Sequence, residues 1–313
     1  MRLGILFFVL FYAQAYIYTV SGFSSGGFFA HQLHIIHSAT IVGAGIVAGG
    51  PYFCTMGSEV RFQTACKANP YLINLQTSLS IAAELASSNN IDQLLNLTTS
   101  RVYIFSGTKD TVVFPGVVEQ TLKFYQNFIQ YSNITYNFNI EAQHSWVTNG
   151  TGNPCLYLGS PGVNNCGFDL SGAILEQLYG TLKTKGQQVK ENLYAFNQNN
   201  YGDCWKAGMS SRGFIYVPSL CMNQVCKVHV LFHGCYGDFE INGLSFINEI
   251  GMNDWAESNN IVIIYPQAIA SSLNPEGCWD FWGYTGPNFN TRSGLQIQIV
   301  DKMANNPPIV SWS

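Results

Sequence analysis

Apolar residues along this chain fall into two alternating rhythms. Short runs rich in Val, Ile, Phe and Tyr read as buried strands: Tyr16 to Val20, Thr40 to Ala48, Arg101 to Ser106, Ile134 to Ile140, Arg212 to Val217, Lys227 to Phe232 and Ile261 to Tyr265. Between them, apolar positions recur at three- and four-residue steps and predict helices. These cover Ser25 to His37 with Phe29, Leu33 and Ile36 on one face, Leu79 to Asn89, and a segment carrying Val118, Leu122, Tyr125 and Ile129. Further helices are predicted over Ser171 to Tyr179, Gly243 to Ser258 and Leu295 to Ala304. Such alternation predicts an α/β fold, with a mostly parallel central sheet and helices on both faces. Residues 181 to 203 are polar and aperiodic, which predicts a surface excursion. They are the best candidate for a boundary, but nothing in their composition demands a second domain.

The first strand runs into Gly22-Phe23-Ser24-Ser25-Gly26, and a helical pattern leaves it. Gly-x-Ser-x-Gly at a strand-to-helix junction is what a nucleophile elbow requires. The serine occupies a strained turn, the glycines remove side chains that would block it, and the helix's first N–H groups face the hydroxyl. The alternative is a plain Gly/Ser-rich loop, and residues further along the chain bear on the choice. Asp110 stands in the loop after the Arg101–Ser106 strand, where a hydrolase of this class carries its acid; a turn aspartate bonding local N–H groups is the other reading. His144 comes after the Ile134–Ile140 strand and can take a proton from Ser24. His233-Gly234-Cys235 ends the Lys227–Phe232 strand. There the N–H of Cys235, with that of Ser25, would converge on a carbonyl oxygen as an oxyanion hole. A tight turn with a disulfide anchor is the plainer reading of that segment, and both can hold. His31, His34 and His37 cluster on the first helix. Without acidic or cysteine company they read as surface or groove residues, and no metal site is expected.

Charge narrows the possibilities. Charged residues make up 10% of the 313, well below the ~25% usual in soluble proteins, and the net charge is −4 with no basic run. That argues against a nucleic-acid partner. Arg2, the apolar run Leu3 to Tyr12 and Ala13-Gln14-Ala15 read as a secretory signal over residues 1–15, leaving 16–313 as one catalytic domain. An ordinary buried strand is the alternative there, and the run is too short to span a bilayer, so no stable membrane insertion is expected. Nine cysteines and the sequons at Asn96, Asn133 and Asn149 agree with an oxidising, glycosylating route, ending outside the cell or in a digestive lumen. Cys54 with Cys66, Cys155 with Cys166 and Cys221 with Cys226 bracket short segments and could pair. Cys235 with Cys278 would pin the aromatic loop Gly277 to Tyr284 over the hole, although spacing alone does not decide connectivity. An odd count leaves one thiol over, and Cys204 is the candidate.

Together, the Gly22–Gly27 segment, the Asp110 and His144 loops, Phe232-His-Gly-Cys and Gly-Cys-Trp-Asp-Phe-Trp-Gly-Tyr resemble the extracellular polyhydroxybutyrate depolymerases and their esterase relatives. More narrowly, the order resembles the circularly permuted α/β-hydrolase type, because the oxyanion turn comes after the triad. The resemblance implies Ser24 as nucleophile, Asp110 and His144 as partners, the Ser25 and Cys235 amides as the hole, and no cofactor. It also implies Trp282, with Trp279 and His233, along the substrate crevice, although Phe281 replaces one tryptophan of the family's cluster. Permutation further implies that the last helix packs beside the first strand. No separate substrate-binding module is recognisable, and a monomer is expected. A polyester or small ester is the implied substrate. A feruloyl or acetyl carbohydrate esterase on the same scaffold, and a non-catalytic secreted protein that binds apolar surfaces, are the alternatives.

Overall fold

In the computed structural model, residues 17–308 are described, and the expected leader over residues 1–15 lies outside them. The first half runs β1 (Tyr18–Phe23), α1 (Ser25–Ile36), β2 (Ile41–Val47), α2 (Glu59–Ala68), α3 (Leu75–Ser87), β3 (Arg101–Phe105), α4 (Pro115–Tyr125) and β4 (Ile134–Asn137). Three short strands come next, β5 (Trp146–Thr148), β6 (Asn153–Pro154) and β7 (Val163–Asn165), and then α5 (Leu170–Tyr179). The rest runs β8 (Leu193–Asn197), β9 (Arg212–Tyr216), β10 (Lys227–Phe232), α6 (Phe239–Asn242), α7 (Ser245–Glu249), α8 (Met252–Asn259), β11 (Ile261–Tyr265) and α9 (Leu295–Asn305).

Eight strands form one sheet in the order β4-β3-β2-β1-β10-β11-β9-β8. It is parallel from β4 through β11, and β9 runs antiparallel to both of its neighbours. Parallel central strands are covered on both faces and so read as unbroken apolar runs, as Ile261–Tyr265 does. Alternation along β1 shows the two layers. A Cβ on Gly22 would meet the Gly26 carbonyl of α1, whereas Ser21 points to the other face, near Gly45 and Ile174 of α5. Helices α5 and α8 touch and cover that second face, while α1 lies on the first with α4 against it.

Starting at β8, continuing to α9 and then passing to β1, the chain lays down an edge pair and then the central strands. It next walks outward from β1 to β4. The junction of this permuted order is β1 against β10. Its register is held by a buried polar cluster in which His229 meets Thr19 Oγ1 through Nδ1 and Ser21 Oγ through Nε2, both at 2.7 Å. The Tyr18 hydroxyl donates to Asp301 Oδ1 at 3.1 Å, so the first strand and the last helix meet.

Three expectations need correction. The aperiodic stretch 181–203 contains β8, an edge strand whose Leu193 to Asn197 pair with Tyr216 to Arg212. The Gly243–Ser258 segment is two short helices, α7 and α8, rather than one, because Gly251 (φ 74°) turns the chain into the left-handed region between them. Every residue of α1 is buried, so His31 and His34 are core residues, not surface ones. His31 Nδ1 reaches Gly50 O at 3.1 Å, and His34 sits between the Tyr125 hydroxyl and Ser100 Oγ. Among the described residues no helix is long and apolar enough to cross a membrane.

Candidate active site

Ser24 stands between β1 and α1 with φ 57° and ψ −122°, a state a residue with a Cβ adopts only when its surroundings hold it there. Two backbone bonds do so: Ser24 N–H donates to Val47 O at 2.9 Å, and Phe28 N–H donates to Ser24 O at 3.0 Å. The flanking glycines are sterically required. A Cβ on Gly22 would enter the Gly26 carbonyl, and one on Gly26 would enter the carbonyls of Phe232 and His233.

The structure brings Ser24, His144 and Asp110 together. Ser24 Oγ lies 2.9 Å from His144 Nε2, and His144 Nδ1 lies 2.7 Å from Asp110 Oδ2. All three are buried, each at less than a tenth of full exposure, and the Phe23 ring centroid sits 4.7 Å from that of the imidazole. Asp110 Oδ1 accepts the N–H groups of Val112 and Val113 at 2.8 and 2.9 Å, which fixes the carboxylate's orientation. A carboxylate so held makes Nδ1 the proton-bearing nitrogen, leaving Nε2 free to accept from the serine.

Gln143 was not singled out by sequence reasoning. Its Oε1 accepts N–H bonds from His144 and from Thr111, both at 2.8 Å, tying the histidine loop to the acid loop. A polar residue beside a candidate base is the only sequence signal for it, and that is a weak one.

The turn after β10 faces the serine, and a Cβ on Gly234 would lie 3.1 Å from Ser24 Cβ. Ser25 and Cys235 line the same cleft as Ser24 and His144. Cys235 is bonded to Cys278, and Trp279 N–H donates to Ser25 Oγ at 3.3 Å, so the aromatic segment is anchored to both Cys235 and Ser25. Cys54–Cys66, Cys155–Cys166 and Cys221–Cys226 are the other disulfides, with Cys66 on helix α2 rather than in a loop. Cys204 is free and buried; desolvation, aided by Asp203, pushes its thiol up to about 11.

Three residues expected along the crevice stand elsewhere. Trp279 is fully buried against Phe29 and Phe232. Trp282 lies behind Phe62, which does line the cleft. His233 is buried, its Nδ1 donating to Gly234 O at 2.7 Å and its Nε2 accepting from Ala268 N–H at 3.1 Å. Desolvation lowers its pKa and favours the neutral form, and it braces the Gly234–Cys235 turn without lining the cleft. The rings folded inward are held by Asp280, whose Oδ1 accepts from Trp282, Gly283 and Tyr284 N–H and whose Oδ2 accepts from Thr285. The cleft, of about 270 Å³, is instead walled by Phe23, Phe28, Phe62, Val113, Leu158 and Phe246. Among the described residues, the one His/Cys/Asp/Glu group close enough to share a metal is Cys235, Glu276 and Cys278, and its two sulfurs are bonded to each other.

No family model matches the sequence. The chain is 41% identical over 293 residues to a poly(3-hydroxybutyrate) depolymerase of Delftia acidovorans, covering 92% of this chain and 58% of that longer protein. It is 35% identical over 300 residues to a polyhydroxybutyrate depolymerase of Talaromyces funiculosus, covering 90% of this chain and 86% of that one. The chain belongs to the polyhydroxybutyrate depolymerase family. Its α/β-hydrolase fold is shared with the crystal structure of the PHB depolymerase from Penicillium funiculosum, at a TM-score of 0.84 and 33% identity over 92% of this chain and 95% of that one. A PHB depolymerase complexed with an R3HB trimer, a serine-to-alanine variant, matches at 0.85 and 32% identity over 93% and 96%. Membership of the PHB depolymerase family thus rests on both sequence and architecture across nearly all of the described chain.

Proposed function

We propose that this protein is a secreted serine ester hydrolase acting on poly(3-hydroxybutyrate)-type polyesters or their oligomers. The observation that carries the reading is the unbroken hydrogen-bonded line from Asp110 through His144 to Ser24, beside a cleft walled by aromatic rings. Such walls suit an apolar acyl chain better than a peptide or phosphate. In support, a family relative is complexed with an R3HB trimer.

The geometry suggests the steps. Ser24 Oγ attacks the ester carbonyl as His144 Nε2 takes its proton, and Asp110 holds the imidazole tautomer and stabilises its charged form. The carbonyl oxygen becomes an oxyanion facing the Ser25 and Cys235 amides, where one donor is typically worth ~3 kcal/mol of barrier. Collapse breaks the bond from carbonyl carbon to alkoxy oxygen. His144 returns the proton to the departing alcohol, and an acyl-serine ester remains. Water, deprotonated by His144, then releases the acid and restores the serine.

Secretion is part of the reading. Four disulfides suit an oxidising compartment, and the sequon residues Asn96 and Asn149 are exposed while Asn133 is half-buried. The test combines fluorophosphonate labelling at Ser24 with turnover of a 3-hydroxybutyrate oligomer and a feruloyl ester. Labelling with release of 3-hydroxybutyrate is the expected result. Release of ferulate alone would move the substrate to glycan esters, and a folded protein that does not label would favour a silent binding role.

A further inference from the structure

Lys67 supplies the positive charge among the residues lining the cleft, whose other walls are aromatic, aliphatic or small and polar apart from His144 and Glu276. Its ammonium lies 3.2 Å from Gln63 Oε1 and 5.7 Å from the Phe62 ring centroid. Among the described residues no carboxylate comes within 4.0 Å of it; most of the other lysines and arginines share that feature, and its place on the cleft wall is what sets Lys67 apart. A lysine in the last turn of a helix is favoured there by the helix dipole alone. That preference does not account for this side chain lying on the cleft wall with donor capacity left over.

Its placement is firm. Cys66, one residue earlier, is bonded to Cys54, and Phe114 N–H donates to Lys67 O at 2.9 Å. The second tether joins the Lys67 backbone to the segment just after Asp110, whose Val112 and Val113 line the cleft together with Lys67 and His144. In the proposed reaction His144 hands its proton to the departing alcohol, so the wall that these residues share is read as the alcohol side.

We propose that Lys67 is a carboxylate-binding subsite that captures the free carboxyl end of a hydroxyacid oligomer. This rests on the polyester reading and adds direction to it. When a hydroxyalkanoate ester is cut, the acyl half carries the hydroxyl terminus and the alcohol half carries the carboxyl terminus. A cation on the alcohol side meets a carboxylate only when the cut falls near the chain's carboxyl end. The subsite therefore favours short oligomers bearing that charge over the same oligomers with the charge masked.

The experiment measures kcat/KM for a 3-hydroxybutyrate trimer as the free acid and as its methyl ester, in wild type, Lys67→Met and Lys67→Arg. The ratio of acid to ester is expected to fall about tenfold in Lys67→Met, the worth of one charge-assisted contact of ~1.4 kcal/mol, and to be largely restored in Lys67→Arg. A ratio in Lys67→Met equal to wild type overturns the subsite while leaving the polyester reading intact. No turnover of either trimer by wild type overturns the polyester reading, and the subsite with it.

Discussion

The Trp282 indole stacks on the Phe62 ring, centroids 5.0 Å apart and planes 13° from parallel. Phe62 faces the cleft and Trp282 stands behind it, packed also on Phe281 and Tyr284. The indole is thus a backing layer. Trp282→Ala is expected to lower stability by about 3–5 kcal/mol, the usual cost of deleting a buried aromatic, with a rise in KM caused by a loosened Phe62. Urea midpoints alongside KM check this. A variant of unchanged midpoint that loses only substrate binding would put Trp282 in direct contact with substrate.

Gln143 bonds the loops that carry Asp110 and His144. Its single oxygen takes the N–H groups of both Thr111 and His144, so it sets the spacing between the acid and base loops. Gln143→Leu leaves two N–H groups without their acceptor; the exposed Thr111 N–H can turn to water, and the part-buried His144 N–H costs about 1–3 kcal/mol if left unsatisfied. The expected result is a kcat drop of at least ~10-fold with little change in KM, because orientation of His144 is lost rather than the cleft wall. Gln143→Glu keeps an acceptor and should recover most of kcat. Equal kcat in wild type and Gln143→Leu would sink the positioning role.

What the chain's pattern revealed, and what it hid, depends on the range of the interactions involved. Ser24, Asp110 and His144 were legible because strand-end loops and a five-residue turn are local features that need particular residue types. The central strands were legible because burial on both faces forces unbroken apolar runs. Strand β8 was not, because an edge strand with one exposed side carries little period, and its residues are only partly buried. The inward turn of Trp279 and Trp282 depends on four backbone N–H groups gathering on Asp280, a local fold of the chain that no spacing advertises. His31 and His34 looked exposed because a helix is assumed to show one face to water, and α1 shows none.

Gly26 is, with Gly22, one of the two tightest points of the elbow. A Cβ there would meet the backbone carbonyls of both Phe232 and His233, which cannot move without shifting β10 and the Gly234–Cys235 turn. Gly26→Ala is expected to cost at least about 1–3 kcal/mol as overpacking, and to displace the Gly234–Cys235 turn from Ser24. Activity on a p-nitrophenyl ester should fall by ~10²-fold or more, the scale of losing one oxyanion donor. Stability and turnover both near wild type would show that the two segments are less closely apposed.

Acid should unfold this protein through its buried histidines. His31, His34 and His229 are fully buried, and desolvation lowers each from 6.5 to about 3 in the folded state, His34 being lowered further by the charge of His31. Above pH 6.5 all three are neutral in both states, and their contribution to stability is fully present. Between 6.5 and about 3 the unfolded chain binds protons that the folded one refuses, so stability falls as pH falls, by ~1.4 kcal/mol per pH unit for each such group. The partners explain why the neutral form is kept. His229 is wedged between the Thr19 and Ser21 hydroxyls, and His31 donates to Gly50 O with no acceptor for a second proton at Nε2. Unfolding near pH 5 should therefore take up at least about three protons per chain, read by calorimetry in buffers of different ionisation enthalpy. Unfolding at that pH with no proton uptake would mean the three imidazoles already titrate in the folded protein.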